Sequence, residues 1–310
     1  MRHAFPRCLG MCILAATAIV PALAGAVVQR TFVSGQGSDT NPCSISAPCR
    51  SFAAAIAQTV TGGEVVVLDS AGYGPVTITS AVSITAPPGI YAGVSVSSGD
   101  GVVVNAGASD RVVLRGLNIV AIPGTPAAAV RFLNGGTLVV DGCNVTGMPN
   151  GIVFQPAGTA TLWVSGSFFS GRGLGRAIAV GTISGFAYAN IARTYMEQYQ
   201  SGVYGSDRSR ITVVETVSTR NFNNYQLETS ASGIPAEMTI ARSVSSYSDN
   251  AGIRTSGSAL AVARVSDSVI IDENNNAVAA FDGSSVLTRS NNLGDGSASG
   301  PYFTGTLNPR

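Results

Sequence analysis

Asp249, Asp272 and Glu273 are the carboxylates of this chain whose spacing could do chemistry. They lie one repeat apart in the sequence. Carboxylates brought close can hold Ca²⁺ or share the work of general acid and base. Tyr199, Asn223 and Asn274 stand at matching places in neighbouring repeats. The plainer reading is a solvated acidic edge, because Asp and Asn favour turns for backbone reasons alone. A second set is Tyr204, Glu228 and Arg254. A tyrosine beside a charged pair can stack on a sugar ring and bond its hydroxyls. The plainer reading here is a cross-strand ion pair that fixes register.

Other chemistries lack their residues. Lysine is absent, and the only histidine is His3. Cys143 occupies an apolar strand position with no histidine to activate it, so a buried thiol is expected. Cys43 and Cys49 flank a turn-forming segment, Asn41-Pro42-Cys43 to Pro48-Cys49, and in an exported protein they should form a disulfide. Trp163 alternates with Leu162 and Val164, which turns it outward. Phe186, Tyr188, Tyr195, Tyr199, Tyr204, Phe222, Tyr225 and Tyr247 crowd a short stretch, some of them necessarily as core.

The elements that position these residues follow from a repeat. Ile152, Ile178, Val203, Leu227, Ile253 and Val278 step by 26, 25, 24, 26 and 25 residues, each after a small or polar neighbour. A period that regular means one solenoid coil per unit. Between the anchors lie short β-branched runs closed by Gly, Pro, Asp or Ser, which read as strands. Alternation predicts that the six anchors face inward and that Val153, Ala179, Tyr204, Glu228, Arg254 and Ala279 face outward. Asparagine-rich turns suit left-handed corners and can bond along the stack.

The first 26 residues read as a signal peptide: Arg2 and Arg7, an apolar stretch from Leu9 to Leu23, and small residues at Ala22-Leu23-Ala24. Residues 27–64 read as an opening loop and a capping helix that starts at Ser51, carries Phe52, Ala55, Ile56, Thr59 and Val60 on one face, and stops at Gly62-Gly63. Residues 65–293 are the coils and 294–310 a tail whose Pro301-Tyr302-Phe303 shields the last edge. Without Arg2 and Arg7 the chain has 16 basic and 17 acidic residues, so nothing favours nucleic acid. No later run is apolar enough to span a membrane, and a periplasmic or extracellular location is expected.

Phe32 to Asp39, with its Gly35-Gln36-Gly37-Ser38-Asp39 loop, then Pro48 to Ile56, Gly62-Gly63-Glu64-Val65 and Gly74-Pro75-Val76-Thr77-Ile78 resemble the opening coils of the pectin-lyase-like group. More narrowly, the chain is similar to exported bacterial β-helix proteins of unassigned activity. The resemblance implies an all-β, single-stranded right-handed parallel β-helix solenoid with a short N-terminal capping helix. It also implies polysaccharide or cell-surface glycan as partner, along one outer face. The group's hydrolases need a Gly-His-Gly segment, which is missing. Its calcium-dependent lyases use arginine as base. Under that alternative Arg254, Arg220 or Arg242 would act with Asp249 and Asp272, with Ca²⁺ as the one cofactor. Neither the Arg-x-Pro-x-x-Arg nor the Trp-Ile-Asp-His segment of that branch is present. The first expectation is therefore a non-catalytic glycan-contacting protein without metal or cofactor. A structural or adhesive element is the third reading.

Overall fold

The computed structural model describes Met1 and residues 28–230, 233–271, 273–294 and 303–307. The expected leader beyond Met1 lies outside the described residues, as do Asp272, Pro301 and Tyr302.

Each coil passes through three strands. One coil comprises Thr137–Asp141, Asn144–Thr146 and Asn150–Phe154, and the next begins at Ala160–Ser165. Strands of the first kind stack into a 12-stranded parallel sheet, from Val28–Val33 to Gly305–Thr306, here termed sheet one. The three-residue strands form sheet two, including Phe168–Ser170, Tyr195–Glu197, Val217–Thr219 and Val244–Ser246. The third kind form sheet three, including Arg176–Val180, Ser201–Gly205, Asn223–Glu228, Ala251–Ser256 and Asn276–Ala280. In the early coils Ala92–Asn105 and Leu117–Asn134 run from sheet two into sheet three unbroken. The fold is a parallel β-helix.

Inward side chains pile into ladders. Sheet one contributes Leu138, Leu162, Ala189, Ile211, Met238, Ala263 and Val286, all buried and in register. Each large aliphatic here stabilises by about 1.5–3 kcal/mol relative to exposure. In sheet three the ladder is Ile152, Ile178, Val203, Tyr225, Ile253 and Val278. Tyr225 thus replaces the expected Leu227, which pairs with Gly205 and Thr255 instead. The cause is loop length. Only residues 206–208 separate Ser201–Gly205 from sheet one, whereas residues 229–235 follow Asn223–Glu228. A slip of two keeps a strand residue on the same face, so Leu227 remains buried. Gly205 makes room, since a Cβ there would stand 2.6 Å from Leu227 Cδ1.

The left-handed corners are not at asparagine. Between sheets one and two they fall on Gly116, Gly142, Gly166, Arg193, Glu215, Arg242, Asp267 and Ser290, and none of Asn223, Asn224, Asn250, Asn274 or Asn275 has positive φ. From Gly142 to Asp267, the residue after the corner belongs to a ladder of its own. Ser167, Thr194, Thr216, Ser243 and Ser268 each donate a hydroxyl to the carbonyl two residues back, at 2.8–3.0 Å. Cys143 is the thiol member of that ladder, facing Asp141 O at 3.6 Å. Burial pushes it up to about 11, so it stays a neutral thiol. The asparagines do bond along the axis: Asn250 Nδ2 reaches Asn223 Oδ1 at 2.8 Å and Asn275 Nδ2 reaches Asn250 Oδ1 at 3.4 Å.

Both ends are covered. The helix spans Phe52–Gln58, with the Ser51 hydroxyl accepting from Ala54 N. It stops before Thr59 and Val60, which belong to the strand Thr59–Val67. β-Branched residues favour extended backbone, and Thr59 Oγ1 closes the helix on Ala55 O at 2.8 Å. Phe52 packs on Tyr73 with ring centroids 5.1 Å apart. The Cys43–Cys49 disulfide loop covers the first edge of sheet one, where Val33 bridges Cys49. At the other end Gly305–Thr306 pairs with Ser285–Thr288, and Phe303 packs against the core.

Candidate functional site

Sheet three carries the predicted outward row with its register revised. Arg131, Val153, Ala179, Tyr204, Gln226, Arg254 and Ala279 are neighbours on successive coils. Glu228 is displaced by one pair and faces Ser256. Tyr204 still meets it: the phenol donates to Glu228 Oε2 at 3.3 Å, and Gln226 Nε2 approaches the same oxygen at 3.5 Å. Burial raises the Tyr204 phenol, with the Glu228 charge adding to the shift, so it is a hydrogen-bond donor at neutral pH. The expected Glu228–Arg254 pair does not form. Arg254 Nη1 donates to Ser256 Oγ at 3.0 Å and its guanidinium lies over Phe281, 5.2 Å from the ring centroid. Arg176, which sequence reasoning missed, lies over the Tyr204 ring at 3.7 Å, and its Nε is buried with no hydrogen-bond partner. Two arginines on two aromatic rings thus flank Gln226 and Glu228.

The acidic edge disperses. Asp249 and Asn274 do meet, Nδ2 to Oδ1 at 3.1 Å. Tyr199 and Asn223 belong to other columns. Tyr199 N bonds to Asn221 Oδ1, whereas Asn223 pairs with Ser201 and Ala251. Tyr199 is interior, 1% exposed, and its hydroxyl has no partner. Glu273 is also interior, 2% exposed. Its carboxylate accepts from Ser245 Oγ and Ser248 N, both at 2.6 Å, and from Asn224 Nδ2 at 3.5 Å. Burial raises its pKa against the pull of these donors. Glu273 closes an internal polar ladder with Asn221 and Asn224 and presents nothing to a surface ligand. Among the described residues, no three carboxylate, histidine or cysteine side chains gather as cation ligands. Asp249 and Glu273 do not fit a shared Ca²⁺, and we derive no step through one.

Sheet two holds an arrangement that sequence reasoning missed. Tyr195, Val217, Thr219, Arg220, Ser246 and Tyr247 line a hollow of about 490 Å³. Arg220 Nη2 lies 2.8 Å from Glu197 Oε2 and 3.2 Å from the Tyr195 hydroxyl. Phe168 extends the wall, stacked on Tyr195 at 5.3 Å. The signal was the position of Arg220 and Tyr247 at one corner of successive coils, which crowding of aromatics did not reveal. The remaining aromatics scatter: Trp163 is half exposed on sheet one, Phe186 and Tyr188 attend Arg210 there, and Tyr225 is core.

No protein-family model and no curated protein sequence matches the chain. Several solved structures share its fold. A rhamnogalacturonan lyase superposes with a TM-score of 0.50 at 12% identity, covering 85% of this chain and 76% of its own. Pectate lyase Pel9A gives 0.55 at 12% identity, covering 92% and 79%. The PL6 family alginate lyase AlyGC gives 0.57 at 12% identity, over 91% of this chain but 42% of that one. Likeness at that identity is one of fold, and it defines the class as the parallel β-helix of these lyases.

Proposed function

We propose that this is an exported β-helix protein that holds a polysaccharide along the outer face of sheet three without cleaving it. The observation that carries the reading is the axial row Arg176–Tyr204–Gln226/Glu228–Arg254–Phe281. Successive coils stand about 4.8 Å apart, so the row offers a linear polymer arginine-capped rings, donors and an acceptor along one line. Structural neighbours named for pectate, rhamnogalacturonan and alginate make acidic polysaccharide the first ligand class to test. The leader read at residues 1–26, with Arg2 and Arg7 ahead of an apolar stretch, and the Cys43–Cys49 disulfide support export.

The lyase alternative asks an arginine to give up its proton. Arg220 is held above its ordinary range by the Tyr195 hydroxyl and Glu197, the wrong direction for a base. Arg242 is paired with Glu215 at 3.4 Å, and Arg254 is stacked on Phe281. These engagements favour binding over cleavage. A glycan array with Tyr204→Ala as control, run beside an ultraviolet assay for unsaturated uronates with and without calcium, tests the choice. Retention on acidic polysaccharide without new absorbance is expected. Absorbance that grows with time would establish the lyase instead.

A further inference from the structure

Tyr247 is the least expected residue in any corner of the coil. It has φ 51°, in the left-handed region that a bulky side chain seldom enters. The corner residues of the two preceding coils, Gln198 and Arg220, share that conformation at φ 59° and 52°. Glycine would adopt it freely. At Tyr247 the chain instead carries a ring that is 56% exposed and so contributes little packing. Strain of this kind, kept without a packing benefit, points to function.

The ring lines the sheet-two hollow together with Tyr195 and Val217. Ser246 Oγ donates to Thr219 Oγ1 at 3.0 Å, and both residues are nearly buried, 7% and 5% exposed, so this pair braces the site. Arg220 uses Nη2 for both Glu197 and Tyr195, so its remaining N–H groups face the hollow or solvent. The volume of about 490 Å³ suits a small ligand. The site spans three coils, about 10 Å along the axis.

From this geometry we infer that the sheet-two hollow binds one neutral sugar ring, separately from the polymer row on sheet three. The Glu197–Arg220 pair is compensated within the site, so no net charge selects an anion. Two tyrosine rings and the Val217 side chain in the lining suit the C–H face of a pyranose. The open donors of Arg220, whose side chain is 60% exposed, suit its hydroxyl oxygens. A flat hydrocarbon ligand would bury these donors unpaired, which is costly. The inference does not rest on the sheet-three reading and can fail without it.

Saturation-transfer NMR on the full chain, with the methyl glycosides of glucose, galactose and mannose as probes, tests it. At least one should bind saturably at millimolar concentration. Tyr247→Gly should weaken that binding about tenfold or more while the thermal midpoint stays level or rises, because glycine relieves the corner. Tyr204→Ala should leave it unchanged, whereas it should abolish retention on polysaccharide. Binding by none of the probes, or undiminished binding by Tyr247→Gly, would overturn the inference. A fall in the midpoint of Tyr247→Gly would also overturn it, since the ring would then be a packing element.

Discussion

At the scale of single residues, burial decides which polar groups face a ligand and which support the tube. Tyr204 and Tyr225 are one strand position from sharing a column, yet one offers its phenol to Glu228 outside and the other fills the core. Glu273 has the sharpest consequence. It is a buried carboxylate served by Ser245, Ser248 and Asn224, and burial holds it above the ordinary glutamate range. Tyr225 is the titratable group that feels its charge, and burial raises that phenol too, so it stays neutral. A raised folded-state value means that the folded chain holds this proton more tightly than the unfolded chain. The stabilisation is complete below the unfolded value and is lost as pH rises through the folded one. Urea midpoints of the wild type should therefore fall relative to Glu273→Gln as pH climbs from roughly 4. Parallel curves for the two proteins would show that the Glu273 proton does not matter to folding.

At the scale of elements, register is the claim most open to test. Tyr225→Ala should destabilise by about 3–5 kcal/mol, as loss of a large core ring does. Tyr204→Ala on the outer face should stay within roughly 1 kcal/mol. Equal losses in urea unfolding would contradict the pairing of Val203 with Tyr225. This is also where sequence reasoning reached its limit. The inward ladders were legible because aliphatic residues recur at every coil, and an error of two residues returns to the same face. Ile152, Ile178, Val203, Ile253 and Val278 needed no correction. Outward columns have no such protection, because any residue type can face water. A short loop at 206–208 and a long one at 229–235 were enough to move Glu228 off the Tyr204 row. Glu273 was misplaced for another reason. A charged residue next to a turn reads as exposed, and only the ring of donors from Ser245, Ser248 and Asn224 explains its interior place.

At the scale of the molecule, a coil stack is stabilised by nearest neighbours, and its weak points are its ends. The disulfide closes a short loop, six residues from Cys43 to Cys49, over the first edge of sheet one. Replacing both cysteines by serine should cost about 2 kcal/mol, the value for so short a loop. Calorimetry should register that loss, while binding on the outer faces stays intact. Asp69 joins the same end to the first coils, accepting from Gly35 N at 2.7 Å, Ser34 Oγ at 2.5 Å and the Tyr73 hydroxyl at 2.6 Å. With both ends closed, the long outer faces are the surfaces left for a partner. The direct test of that account is affinity electrophoresis through gels cast with pectate, with alginate or with a neutral glucan, comparing the wild type with Tyr204→Ala. The sheet-three row predicts that an acidic polymer retards the wild type, and that Tyr204→Ala runs as it does in an empty gel. Equal mobility of the two proteins in every gel would contradict it.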